Sequence, residues 1–127
     1  MPEHYLFEYA VIRFMPRVER EEFLNVGVIL FCAPQKFLQV AYLLPEERLK
    51  AFTCEIDTIE LEQRLLAFAN VCSGKNEGGP IGHFPIASRF RWLTATRSTV
   101  LQTSKVHPGF CKDAADELQK LLSQFVL

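Results

Sequence analysis

A chain of 127 residues, of which 49% are hydrophobic and 23% charged, is long and apolar enough to bury a core of its own. This composition excludes an intrinsically disordered chain, which needs low hydrophobicity and high net charge. The net charge of −1 excludes a uniformly basic nucleic-acid-binding protein, and we expect a single domain over residues 1–127.

Three consecutive β-strands are predicted in the first third of the chain. Tyr5 to Phe14 is rich in aromatic and β-branched residues, and alternation places Arg13 on one face with several apolar side chains. Phe23 to Cys32 is apolar on both faces, which is typical of a central strand, and Gly27 indicates a bulge or a close backbone contact. Phe37 to Leu44 is the third strand. Because the connections are too short for helical crossovers, we expect an antiparallel meander.

The middle of the chain predicts two helices and a loop. Pro45 opens a short helix, because proline suits the first helical turn and the two glutamates that follow it complement the helix dipole. Asp57 is the predicted N-cap of a longer amphipathic helix, and Gly74 is its predicted end. Lys75 to Ser88 holds three Gly and two Pro and predicts a long loop.

The last part of the chain predicts further strands and a final helix. Arg89 to Ser104 predicts two strands or one bent strand, and Val106 to Gly109 predicts a turn. Asp113 is the predicted N-cap of the last helix. We therefore expect an α+β fold, in which an antiparallel sheet of about five strands carries its two main helices on one face.

The basic residues of the second half are segregated from the acidic ones. Between Gly78 and Lys112 there are five Lys or Arg and no Asp or Glu. Arginine can hold phosphate or carboxylate with two hydrogen bonds, and hydroxyl groups add donors. The segment predicts a binding site for an anion or a partner, formed by Arg89, Arg91, Arg97, Ser98, Thr99, Lys105 and His107. A solvated outer strand face explains the same pattern equally well.

A second polar group is predicted at one end of the first hairpin. Arg13 and Asn25 lie on neighbouring predicted strands, and Glu22 precedes the second strand. Buried polar groups need partners. The simpler interpretation is structural, with Arg13 paired to an acid such as Glu22 and Asn25 bonded to loop backbone.

No motif for catalysis or metal binding is present. The four cysteines, Cys32, Cys54, Cys72 and Cys111, are scattered among apolar runs, and we expect reduced structural thiols. No Cys and His spacing matches a zinc site, so we expect neither a metal nor another cofactor. The N-terminus lacks the basic start of a signal peptide, and the longest apolar run is too short to span a membrane. A cytoplasmic location without membrane association is the expectation.

Two stretches of the chain are distinctive. They are Glu19 to Leu30 (EREEFLNVGVIL) and Arg89 to Thr99 (RFRWLTATRST), the latter running on towards Val106 to Gly109. Together with Tyr9 to Phe14 (YAVIRF), they resemble the bacterial family catalogued as domain of unknown function 3037. Glu21, Thr96 and Lys105 depart from the family pattern in loops. The resemblance implies genomic association with HipA-like serine/threonine kinases.

These observations leave three functions open. The first is a non-catalytic interaction protein, an accessory partner of a HipA-like kinase or a similar enzyme. The second is a small nucleic-acid- or nucleotide-binding module that uses the basic segment 89–107. The third is an enzyme of unknown class. The sequence does not indicate an oligomeric state.

Overall fold

The computed structural model describes residues 4–16, 22–44, 46–52, 58–74, 78–95 and 100–126. The strands are β1 (Tyr5–Phe14), β2 (Leu24–Cys32), β3 (Phe37–Tyr42), β4 (Leu101–Thr103) and β5 (His107–Cys111). The helices are α1 (Glu46–Phe52), α2 (Thr58–Ser73), α3 (Gly79–Gly82), α4 (Ile86–Leu93) and α5 (Ala114–Phe125). The predicted α+β class is confirmed.

The sheet has five antiparallel strands, as expected, and β1 lies in its middle. The order is β3-β2-β1-β4, and β5 also pairs with β1. Since β4 pairs with the end of β1 and β5 with its start, the two short strands together form one interrupted edge. The meander of the first three strands is confirmed.

Ser104 joins the two halves of this interrupted edge. Its N–H donates to the Val11 carbonyl at 2.8 Å, and its hydroxyl oxygen accepts from the Val11 N–H at 2.8 Å. The hydroxyl also donates to the Lys105 carbonyl at 2.9 Å. The side chain therefore takes the place of a missing backbone group, which keeps the buried Val11 amide satisfied where the ladder is broken.

The two main helices pack on opposite faces of the sheet, so the prediction of a single covered face is wrong. Ile29 and Phe31 of β2 belong to the core under α2, whereas Val28, Leu30 and Cys32 belong to the core under α5. Alternate residues of a strand point to opposite faces. A central strand that is apolar on both faces therefore needs a cover on each.

The segment from Arg89 to Ser104 is predicted to form two strands or one bent strand. Its first part belongs to the helix α4 and its last part contains the short strand β4, so the prediction is wrong for the first half. Ile86, Phe90 and Leu93 are spaced four and three residues apart, and the last two are buried in the core under α2. This spacing puts them on one helical face. The Lys75 to Ser88 loop prediction is wrong where α3 and the start of α4 lie within it.

The predicted turn from Val106 to Gly109 is also wrong, because His107 begins β5. Pro108 pairs with Glu8 in the β1–β5 register. Proline is compatible with an edge strand, where its missing N–H can face away from the ladder.

Two helix ends lie where the sequence predicts them. The Asp113 side chain accepts from the Asp116 N–H at 3.1 Å, which confirms the predicted cap. Gly74 has a φ of 70°, a left-handed conformation that ends α2 as predicted. The proposed Asp57 cap lies outside the described residues.

A β-bulge shapes the start of β2 at Gly27. Ile12 pairs with Gly27 and Arg13 with Asn25, so Val26 is an additional residue on β2. A Cβ atom at Gly27 would lie 2.7 Å from the Ala41 carbonyl oxygen. The expectation of a bulge or a close approach is confirmed in both respects.

Replacement of this glycine should therefore destabilise the fold. We expect Gly27→Val to lower the free energy of unfolding by about 1–3 kcal/mol, because the added carbons overpack β3. Urea denaturation measures the loss. Gln39→Val, on the exposed face of β3, is the matched control and should change stability by less than about 0.5 kcal/mol. Equal losses in the two variants would contradict the role given to Gly27.

Candidate functional site

Arg89 of the basic segment caps a helix. Its Nη1 donates to the carbonyl oxygens of Val71 at 3.1 Å and Cys72 at 2.8 Å, in the last turn of α2. The last carbonyls of a helix lack i+4 partners, and the Val71 carbonyl also accepts from the Gly74 N–H at 3.2 Å. Arg89 therefore has a structural role, and in the described residues no carboxylate pairs with its guanidinium.

Arg91 forms an ion pair with the sheet. Its two terminal nitrogens donate to the two Glu8 carboxylate oxygens, each at 2.9 Å. The hydrogen bonds to Glu8 raise the pKa of the Arg91 guanidinium further above its ordinary value. Because residues two apart on a helix point in different directions, Arg89 and Arg91 do not share the face that a strand would give them.

The structure describes two of the remaining residues of the predicted basic site, His107 and Lys105. His107 is exposed and its ring lies 5.5 Å from that of Tyr9. Glu8 and Tyr9 are neighbours on β1 and point to opposite faces, so Arg91 and His107 lie on opposite sides of the sheet. Lys105 is exposed beside Ser104. Arg97, Ser98 and Thr99 lie outside the described residues.

The predicted polar group is assembled in part. Arg13 and Asn25 are cross-strand neighbours, as expected. The Arg13 guanidinium lies 4.2 Å from the centre of the Phe23 ring, and no ion pair joins Arg13 to Glu22, both of which the structure describes. Asn25 Nδ2 donates to the Phe125 carbonyl at 3.1 Å. Asn25 thus caps the end of α5 instead of satisfying a loop, and Arg13 is held by an aromatic ring instead of an acid.

A groove along the outer edge of β3 was not predicted. It has a volume of about 490 Å³ and is lined by Lys36, Phe37, Leu38, Gln39, Val40, Ala69, Cys72, Ser73, Ile86 and Arg89. Four consecutive residues of β3, Phe37 to Val40, line it together with Lys36 of the preceding turn. Because alternate side chains point to opposite faces, a groove lined by all four strand residues runs along the edge of the strand. We call it the β3 groove.

The backbone of β3 directs alternate N–H and C=O groups outward, towards this groove. The Leu43 N–H donates to the Val26 carbonyl at 2.8 Å, so Gln39 and Ala41 also direct their backbone groups towards β2. Leu38, Val40 and Tyr42 then direct theirs outward. No strand in the described ranges pairs with that outer edge.

The lining of the β3 groove includes one thiol, that of Cys72. Burial raises the pKa of the Cys72 thiol to about 12, which keeps it protonated at neutral pH and makes it a poor nucleophile. In the part of the chain that the structure describes, no three His, Cys, Asp or Glu side chains are placed to hold a metal ion. Among the same residues, no helix has the length and apolarity needed to cross a membrane.

Comparison with known proteins places the chain in a family. Residues 9–126 match the family described as "Protein of unknown function (DUF3037)". The chain therefore belongs to this family, as its two distinctive stretches indicate. No curated protein and no solved structure gives a significant match.

The two arginines of α4 should differ in their contribution to stability. Arg89→Ala removes the side-chain donor to the Cys72 carbonyl and one of the two donors to the Val71 carbonyl, and should cost about 1–3 kcal/mol. Arg91→Ala removes an ion pair whose arginine side chain is 58% exposed and should cost less than about 1 kcal/mol. Urea denaturation of both variants tests this difference. A larger loss for Arg91→Ala would contradict the assignments.

Proposed function

We propose that this protein is a non-catalytic interaction protein, which binds an extended segment of a partner as an additional strand on β3. The observation that carries the proposal is the outer edge of β3, which lies beside a groove and pairs with no strand of the described residues. Strand addition supplies affinity through backbone hydrogen bonds, and adjoining pockets supply specificity through alternate side chains.

The contrast between the two edges of the sheet supports this choice. The β4–β5 edge is interrupted at Ser104 and carries Lys105 and Pro108, which are features that prevent pairing with another chain. The six residues of β3, FLQVAY, include no charged residue and no proline. An exposed strand without such protection pairs readily with other strands.

The β3 groove has the composition of a peptide site. Leu38, Val40 and Ile86 give it an apolar wall, and Gln39 adds a polar side chain. Its volume lies within the range of about 300–1,000 Å³ that is usual for ligand pockets. An added strand places every second side chain on the α2 side of the sheet, towards this wall.

On the basis of the family resemblance, our first candidate for the partner is a HipA-like kinase or a similar enzyme. We propose that the two proteins meet in the bacterial cytoplasm. The alternative of a nucleic-acid- or nucleotide-binding module has weaker support. Arg91 is paired with Glu8, and Arg89 lies on a different face of α4, so the two do not form one patch that could bind successive phosphates. The single-domain organisation remains our prediction.

Amide hydrogen exchange tests the proposed edge directly. In the chain alone, the amides of Leu38, Val40 and Tyr42 should exchange at least about tenfold faster than those of Gln39 and Ala41, because only the latter two donate to β2. A heptapeptide selected from a random library for binding should protect the first three. A bound peptide that leaves these three amides unprotected would contradict the proposal.

A proline in β3 provides the matched test. Val40→Pro removes an N–H that points away from β2 and should weaken binding of the selected peptide by more than about tenfold. Val40→Ala loses the same side-chain packing but keeps the N–H, and should bind within about threefold of the parent. A purified HipA-like kinase that binds the parent and Val40→Ala, but not Val40→Pro, would support that enzyme as the partner.

A further inference from the structure

We infer that the β3 groove selects the C-terminal end of a partner chain and binds its free carboxylate beside Lys36 and Arg89. This inference rests on the proposed function, because it requires strand addition on β3. It adds the direction of the bound segment and the chemical group that ends it.

The direction follows from the pairing of the sheet. All described strand pairs are antiparallel, and antiparallel ladders are slightly more stable per residue than parallel ones. A strand that is added antiparallel to β3 starts beside Tyr42 and ends with its last residue opposite Leu38, so that its carboxylate lies beside Phe37. Its C-terminal end therefore arrives at Lys36.

The end of the groove that receives this terminus is positively charged. Lys36, which directly precedes β3, lies at this end. Arg89 is also part of the groove's lining, and no residue of that lining is acidic. Arg89 donates to the neutral carbonyls of Val71 and Cys72, which orient its guanidinium without cancelling its charge. A carboxylate is the group that a chain end brings to such a place, and hydrogen bonds between charged groups are the stronger kind.

The backbone conformation of Lys36 holds this residue at the end of the β3 groove. Its φ is 50°, in the left-handed region, and its N–H donates to the Ala33 carbonyl at 3.0 Å to close the β2–β3 turn. The turn ends the hairpin directly at the end of the β3 groove. The exposed Lys36 side chain therefore projects from a fixed turn and not from a long loop.

The recess of the groove favours a chain end over a second copy of this protein. Leu38 and Val40 direct their side chains towards α2, so ligand residues opposite them point into the space near Ala69 and Ile86. A terminal apolar side chain fills this space. A second copy paired through its own β3 would bring no carboxylate to the two positive charges, because β3 includes no acidic residue.

The test compares free and blocked chain ends. Two random heptapeptide libraries are selected against the full chain, one with free C-termini and one with each heptapeptide followed by further residues. The free-end library should be enriched strongly, with an apolar last residue. Enrichment from the blocked library alone, or from neither library, would overturn the inference.

Affinity measurements then identify the group that is recognised. An enriched free-acid peptide should bind about tenfold more tightly than its C-terminally amidated form. Lys36→Gln should reduce this ratio to about threefold or less, and Lys36→Glu should abolish the preference. Lys120→Glu, an exposed lysine on α5, is the matched control and should leave the ratio unchanged. Lys36 variants avoid the loss of stability that Arg89 variants bring.

The outcomes separate this inference from the proposed function. Equal binding of the acid and the amide, with protection of the Val40 amide by both, overturns carboxylate selection and leaves strand addition intact. A preference of the groove for peptides with internal acidic residues over free C-termini also overturns selection of the terminal carboxylate and leaves strand addition intact. A dimer that is dissociated by Val40→Pro, with no peptide bound, assigns the edge to a second copy and overturns both.

Discussion

The pairing of β1 on both of its edges is the constraint on which the rest of the structure depends. β2 lies on one side, and β4 with β5 on the other. Since β1 and β2 are apolar on both faces, helices must cover both sides of the sheet, and α2 and α5 do so. The arrangement leaves two outer edges that differ in character, one interrupted by Ser104 and one continuous along β3.

The strands and helices with strong local patterns could be predicted from the sequence. The first three strands, the Asp113 cap and the Gly74 helix end follow from alternation and capping chemistry. The α4 helix could not, because RFRW alternates charged and aromatic residues like a strand while Phe90 and Leu93 also have helical spacing. The tertiary contact of Phe90 with Phe31, at 5.2 Å between ring centres, favours the helix.

The candidate site shows the limit of reasoning from charge alone. The acid-free run around Arg89 and Arg91 suggested one exposed patch, yet Glu8, which pairs with Arg91, is 83 residues distant in sequence. The partners of Arg89 are backbone carbonyls, which no composition reveals. The β3 groove depends on which strand lies at the edge of the sheet. The sequence FLQVAY contains no charged residue and no proline, which is the one feature that could have indicated the groove. This feature indicates a binding edge only when β3 is known to lie at the edge of the sheet.

The central claim is that a partner segment becomes a strand of this sheet at β3. Nuclear Overhauser effects between a selected peptide and the isotope-labelled chain test it most directly. Antiparallel addition brings the α-protons of Gln39 and Ala41 next to α-protons of the peptide, because these residues form the close, non-hydrogen-bonded pairs on the outer edge. We predict these cross-strand contacts. Contacts of the peptide with β5, α4 or the Arg13 side of the sheet, and none with the β3 backbone, would contradict the claim.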